Sequence, residues 1–205
     1  MVRPAVPLML LLPLLVFLGS VAAPAAGLPP LPLHSLALAP SEFPGLRRDR
    51  LDSGISATAK EWAAELGERG KAAEAEQRVL QGEEFEEGLY EYFGGHPREG
   101  VYTAMVFAAD AGAERQLAES VAGALAEFPV RSRSDGEVLG VPGGREVGEY
   151  LPKRRDAIAN VFFAVGRCMF VTADSAHDTR GASQGIRPAE TAARRAYRRA
   201  LHLCS

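Results

Sequence analysis

Apolar residues are densest over residues 159–173, ANVFFAVGRCMFVTA, where two aromatic and β-branched runs meet at Gly166 and Arg167. Such side chains favour strands, and Gly-X is the signature of a two-residue II′ turn, so the pattern predicts a central β-hairpin. The turn sets the register: Val165 opposite Cys168, Phe163 opposite Phe170, Val161 opposite Thr172. Alternation then places Val161, Phe163, Val165, Cys168 and Phe170 on one face, and Phe162, Ala164, Met169 and Val171 on the other. Both faces are apolar, so both need cover or one lines a cavity. In the second case Phe162, Met169 and Val171 are the candidate pocket lining.

Elsewhere the pattern predicts elements of both kinds. Ile55, Ala59, Trp62, Ala63 and Leu66 fall on one helical face, with Ser56 as cap and Gly67 or Gly70 as stop. Residues 71–95 are mixed, helix-favouring to 81 and strand-favouring at Leu89, Tyr90, Tyr92 and Phe93. A second strand is expected over 100–109, followed by an amphipathic helix capped by Asp110 and stopped by Pro129. Residues 131–152 read as a loop with one edge strand near Val138 and Val141. A final helix starts at Pro188 and buries Ala189, Ala193, Ala196, Tyr197, Ala200, Leu201 and Cys204. Together these predict an α+β domain, a two-layer sandwich of helices on an antiparallel sheet of four to six strands.

The N-terminus changes the picture of where this domain works. Residues 1–26 carry Arg3 as their only charge, an apolar run and then small residues ending Ala23-Pro24-Ala25-Ala26, the pattern of a secretory signal peptide. Residues 27–50 hold Pro29, Pro30, Pro32, Pro40 and Pro44 and read as a Pro-rich spacer, leaving 51–205 as the domain. Removing the leader moves the net charge from −3 to −4. An acidic chain without a basic footprint is not a general nucleic-acid binder, and no segment beyond the leader has transmembrane length.

Candidate chemistry is sparse. Cys168 and Cys204 are the only cysteines, and an even pair in an exported chain is expected to oxidise. That bridge would staple the last helix to the hairpin, worth about 3.5–4 kcal/mol by chain entropy. Residues 181–185 match G-x-S-x-G around Ser183, but no strand leads straight into it and only His202 follows, so the setting of a nucleophile elbow is missing. Asp174, Ser175, His177 and Asp178 form a candidate polar site at a strand exit. Glu83, Glu84, Glu86 and Glu87 lack calcium-loop spacing and read as a solvated acidic face. Arg194, Arg195, Arg198 and Arg199, with Arg187, form a basic stripe that is either an anion-binding surface or a solvated face complementing the helix dipole. No metal site or cofactor is expected.

The Pro-rich leader, Trp-bearing helix, A-N-V-F-F-x-V-G-R-C hairpin and basic last helix with Cys204 resemble small exported domains of high-GC Gram-positive bacteria. They are also similar to extracytoplasmic sensor domains in which a disulfide ties the C-terminal helix to the sheet. That resemblance implies a location and a stapled fold, and assigns no functional residue. The expected function is a non-enzymatic secreted or envelope protein that binds a ligand or envelope partner. The alternatives are a small hydrolase using Ser183 or the 174–178 loop, and an anionic-surface module using the arginine helix.

Overall fold

The computed structural model describes residues 31–65, 70–95, 97–179, 181 and 183–205, except the side chains at 51, 52, 65, 95 and 183–185. The predicted leader therefore lies outside the described residues. Seven strands are present among the described residues: β1 (Arg47–Ser56), β2 (Phe85–Gly95), β3 (Arg98–Phe107), β4 (Arg133–Glu137), β5 (Arg145–Leu151), β6 (Asp156–Val165) and β7 (Cys168–Ala176). They pair antiparallel in the order β1-β2-β3-β7-β6-β5-β4. Four helices accompany them: α1 (Ala59–Glu65), α2 (Lys71–Gly82), α3 (Asp110–Glu127) and α4 (Ser183–Leu203).

The β6–β7 hairpin lies at the centre with the predicted register, Val165 facing Cys168, Phe163 facing Phe170 and Val161 facing Thr172. Gly166 has φ +51°, which suits the first position of a II′ turn, and a Cβ there would collide with the Cys204 carbonyl. The turn and the end of α4 therefore meet where only glycine fits. Across one face of the hairpin lies α4, whose Ala189, Ala192, Ala193, Ala196 and Ala200 share a core with Ala159, Val161, Phe163 and Phe170. On the opposite face, α1, α2 and α3 form a second core with Met105, Phe107, Val147, Phe162 and Met169. The α+β class and the antiparallel sheet are as expected. The layers are not: helices cover both faces, so there are three layers rather than two, because the hairpin has no polar face to leave in water.

The additional strands come from segments whose local sequence points elsewhere. Residues 31–46, expected to be spacer, pack as a strap that buries Leu31, Leu33, Leu36, Leu38, Phe43 and Leu46. The segment winds through a short 3-10 helix at Leu33–Ser35 and further turns, and its leucines supply an apolar side. Polar groups fix the strap in place. The Tyr102 hydroxyl donates to the Leu36 carbonyl at 2.8 Å, and the Leu38 N–H donates to the buried Glu91 carboxylate at 2.8 Å. Glu91 in turn pairs with Arg48 at 2.8 Å. From α4, Arg195 donates to the carbonyls of Ser41 and Glu42, while Arg199 donates to the Ala37 carbonyl and pairs with Glu42 at 2.6 Å.

Three boundaries also move. Ser56 ends β1 instead of capping α1, so Ile55 is an exposed strand residue. The cap is Thr58, whose Oγ1 accepts the Glu61 N–H at 3.2 Å while the Glu61 carboxylate accepts the Ala57 N–H, close to a capping box. Leu66 and Gly67, expected near the end of this helix, fall outside the described residues. Residues 131–152 form two strands, β4 and β5, and Val138 and Val141 lie buried in the turn between them. Finally α4 begins at Ser183, so Pro188 lies inside the helix rather than at its first position.

Cys168 and Cys204 form a disulfide with Cα atoms 5.8 Å apart and a sequence separation of 36. It closes a loop containing β7 and all of α4. The double variant Cys168→Ala/Cys204→Ala is expected to lose about 2–4 kcal/mol of unfolding free energy in urea, and reductant should reproduce the loss in the wild type. An unchanged midpoint would mean that α4 is held by its alanine face and arginines alone.

Candidate ligand-binding cleft

Over the hairpin's second face the helices do not close. α3 packs on β6 and β7, while α1 and α2 sit over β2, so the lane between them, above β3, is left as a cleft of about 450 Å³. Its floor follows from sheet register. One row runs Tyr90, Thr103, Val171; the next runs Val101, Ala173, Asn160. Met105, Trp62 and Glu76 complete one side, and Gln116, Glu119 and Ser120 of α3 the other. Trp62, the only tryptophan of the chain, is 1 % exposed, and its ring lies so close to Gly88 that a Cβ there would collide with it. Gly88 thus lets the indole lie flat on β2 as one wall.

Two of the polar groups that line the cleft are buried without partners. Thr103 and Gln116 are 5 % and 7 % exposed, and both the Thr103 hydroxyl and the Gln116 Oε1 lack a hydrogen-bond partner. The Gln116 amide donates only to Ser120 Oγ, at 3.3 Å. A buried polar atom left unpaired costs about 1–3 kcal/mol, so two in one cleft are a substantial local expense. Behind the cleft lies Glu83, 4 % exposed, with neither carboxylate oxygen hydrogen-bonded. Burial, reinforced by the Glu119 carboxylate and then Glu76, pushes it up to about 7 against the opposing pull of Arg115. This corrects the expectation of a solvated acidic face: Glu83 caps the end of α2, and the helix packs that corner against Gly112 of α3. Glu84 and Glu86 are exposed, Glu86 pairing with Arg167 at 2.9 Å.

The expected site residues disperse. Val171 floors the cleft, whereas Phe162 and Met169 are sealed in the core under α3. Asp174 and Ser175 point to opposite faces of β7. Asp174 is buried on the α4 side and paired with Arg98 at 2.7 Å, and burial holds its carboxyl up at about 6 despite that partner. Arg98 also donates to the Pro44 carbonyl, so the pair anchors the strap. Ser175 is half-buried in the opposite direction. His177 is exposed and bonded to Asp156 at 3.0 Å, which raises its imidazole pKa, while the exposed Asp178 offers its carbonyl to Arg155. Among the described residues no three metal-ligating side chains gather.

The other two alternatives fare as follows. Ser183 starts α4 and His202 lies near its end, 19 residues on, so they are roughly 28 Å apart along one helix and cannot form a dyad. The Ser183 side chain is outside the described residues. Of the arginine stripe, Arg195 and Arg199 are committed to the strap, Arg194 pairs with Glu190 at 3.5 Å, and Arg198 donates to the Arg194 carbonyl. A larger groove of about 860 Å³ runs along residues 129–133 and 149–154, but its buried edge is satisfied, Ser132 donating to Glu149 at 2.7 Å.

No protein-family model and no curated protein matches the sequence. Among solved structures, the extracellular domain of PknH from Mycobacterium tuberculosis superposes with a TM-score of 0.53 at 9 % identity, covering 81 % of this chain and 95 % of that one. At this identity the likeness is one of fold, in line with the resemblance to extracytoplasmic sensor domains. Among the described residues no helix is long and apolar enough to cross a membrane.

Of the three side chains expected to line a pocket on this sheet face, Phe162, Met169 and Val171, only Val171 lines the cleft, and Thr103 and Gln116 were not among those expected. A polar residue within the apolar run 101–107, and a glutamine next to the apolar stripe of α3, were the available signals.

Glu83 generates a pH prediction. Its folded-state pKa lies above the ordinary 4.5, so the stabilisation from its proton is complete below that value and is lost as pH rises to about 7. Glu83→Gln should therefore match the wild type in urea midpoint at pH 4.5 and exceed it at pH 8 by about 1–3 kcal/mol. An equal difference at both values would show that the carboxyl does not titrate in this window.

Proposed function

We propose that this chain is an exported, extracytoplasmic binding domain without catalytic activity, and that a small amphipathic ligand occupies the cleft between α3 and the α1–α2 pair. The observation that carries this reading is the pair of buried, unpartnered polar groups, Thr103 Oγ1 and Gln116 Oε1, in a concavity of about 450 Å³ that combines apolar side chains with Glu76, Glu119, Ser120 and Asn160. Ligand sites are typically concave, apolar and equipped with a few placed polar groups. A bound molecule with matching groups offsets the cost of leaving those atoms unpaired. Export is supported by the leader pattern of residues 1–26, by the disulfide, and by a fold shared with an extracellular domain. On this reading the leader is removed and the protein acts in the envelope or the medium.

Trp62 is a built-in reporter, being the single tryptophan and a wall of the cleft. Protein recovered from an exporting host is expected to start near residue 27 and, in native mass spectrometry, to carry an additional mass that is lost on denaturation. A filled variant, Ala173→Phe, should lose that mass and should no longer shift Trp62 emission when a small-molecule extract of the host envelope is added. If the wild type is bare and its Trp62 emission is as unresponsive to the extract as that of the filled variant, the cleft is not a ligand site.

A further inference from the structure

The lining of the cleft has a sign. Glu76 and Glu119 face it from opposite sides, no lysine or arginine lines it, and Glu83 lies behind with Glu76 and Glu119 as electrostatic neighbours. Arg115 is the one cation that acts on Glu83. Carboxylates alone prove nothing, since an acidic cluster is most often a solvated face. Here, however, two further groups in the same cleft are more than nine-tenths buried and short of partners. The Gln116 Oε1 accepts only, and the Thr103 hydroxyl, at the centre of the floor, can accept as well as donate. Carboxylates, an amide oxygen and a hydroxyl make a set rich in acceptors. Beside them lie the half-buried Tyr90, Val101, Val171 and Ala173, with the buried Trp62 and Met105 at one side.

We propose that the cleft selects an organic cation: an ammonium-bearing molecule with an apolar body, its N–H donors directed at Gln116 Oε1 and Thr103 Oγ1 between Glu76 and Glu119, its body lying on Tyr90, Val101 and Val171. This rests on the binding-domain reading above and adds the charge of the ligand. The physical reasons are two. Low-dielectric walls focus the field of the carboxylates into the cleft, which raises the local concentration of cations and repels anions. An ammonium supplies up to three donors and no acceptor, which suits the unpaired Thr103 Oγ1 and Gln116 Oε1. A carboxylate ligand would instead meet two like charges and place acceptor against acceptor.

The test uses four probes with one tail and different heads: decylammonium, decyltrimethylammonium, decanol and decanoate, each below its micelle concentration, titrated into the disulfide-bonded protein. Binding is read by Trp62 emission and by calorimetry, with Ala173→Phe as the filled control. Decylammonium is expected to bind at least ten-fold more tightly than decanoate and several-fold more tightly than decanol, and its affinity should fall with added salt while that of decanol does not. Decyltrimethylammonium, which keeps the charge but lacks N–H donors, should fall between decylammonium and decanol. Glu119→Gln and Gln116→Leu should each weaken decylammonium about five-fold or more and leave decanol within two-fold; Glu119 is exposed, so its replacement does not endanger folding. If decanoate or decanol binds as tightly as decylammonium in the wild type and not in the filled control, the cleft is a ligand site and the charge assignment is wrong. If no probe binds the wild type better than the filled control, the cation proposal fails together with its use of the cleft, and the native mass measurement then decides whether the cleft holds any ligand.

Discussion

A hairpin with two apolar faces is the constraint from which the architecture follows. Val161, Phe163, Val165, Cys168 and Phe170 demand cover on one side, and Phe162, Met169 and Val171 on the other. Burying one large aliphatic or aromatic side chain is worth about 1.5–3 kcal/mol, so neither face can be left to solvent. The chain meets the first demand with α4, an alanine-rich helix that can approach the sheet closely and is tied to it by Cys168–Cys204. It meets the second with α3, which returns over β6 and β7 straight after β3.

Covalent and polar ties divide the labour on the α4 side. The disulfide fixes the far end of the helix at the hairpin turn, where Gly166 leaves room for the Cys204 carbonyl. Along the helix, Arg195 and Arg199 reach across to the 31–46 strap, and Tyr102 and Glu91 hold that strap from the sheet. Burial raises the pKa of Glu91 and its bond to Leu38 and its partner Arg48 oppose that shift, which is the balance of a structural carboxylate. Two of the arginines that look like an anion surface in the sequence, Arg195 and Arg199, clasp the N-terminal segment in the fold.

Cover on the opposite face is incomplete, and that incompleteness is where function has room. α3 seals Phe162 and Met169, the α1–α2 pair seals β2 with Trp62, and β3 between them keeps an open lane. Thr172 on the α4 face donates to the Ala189 carbonyl at 2.8 Å, whereas Thr103 on the open face has no partner. Two threonines on adjacent strands thus differ only in what lies above them. Unpaired groups at Thr103, Gln116 and Glu83 lower the stability of this corner.

What the sequence determined by itself was local and periodic. The hairpin, its register and the face of every residue on it follow from alternation and a Gly-X turn, because a two-residue loop leaves no other pairing. The oxidation of the only two cysteines, the strand-to-helix step at 100–128 and the buried Trp62 were legible for similar reasons. Contacts between distant segments decided the rest. The prolines at 31–46 read as an extended spacer, but contacts with Tyr102, Glu91 and the arginines of α4 hold the segment as a docked run of turns. Likewise Glu83 reads as one more acid in a polar run until Gly112 of α3 closes over it. The cleft depends on how far apart α3 and the α1–α2 pair come to rest above β3, a distance between segments that no local pattern encodes.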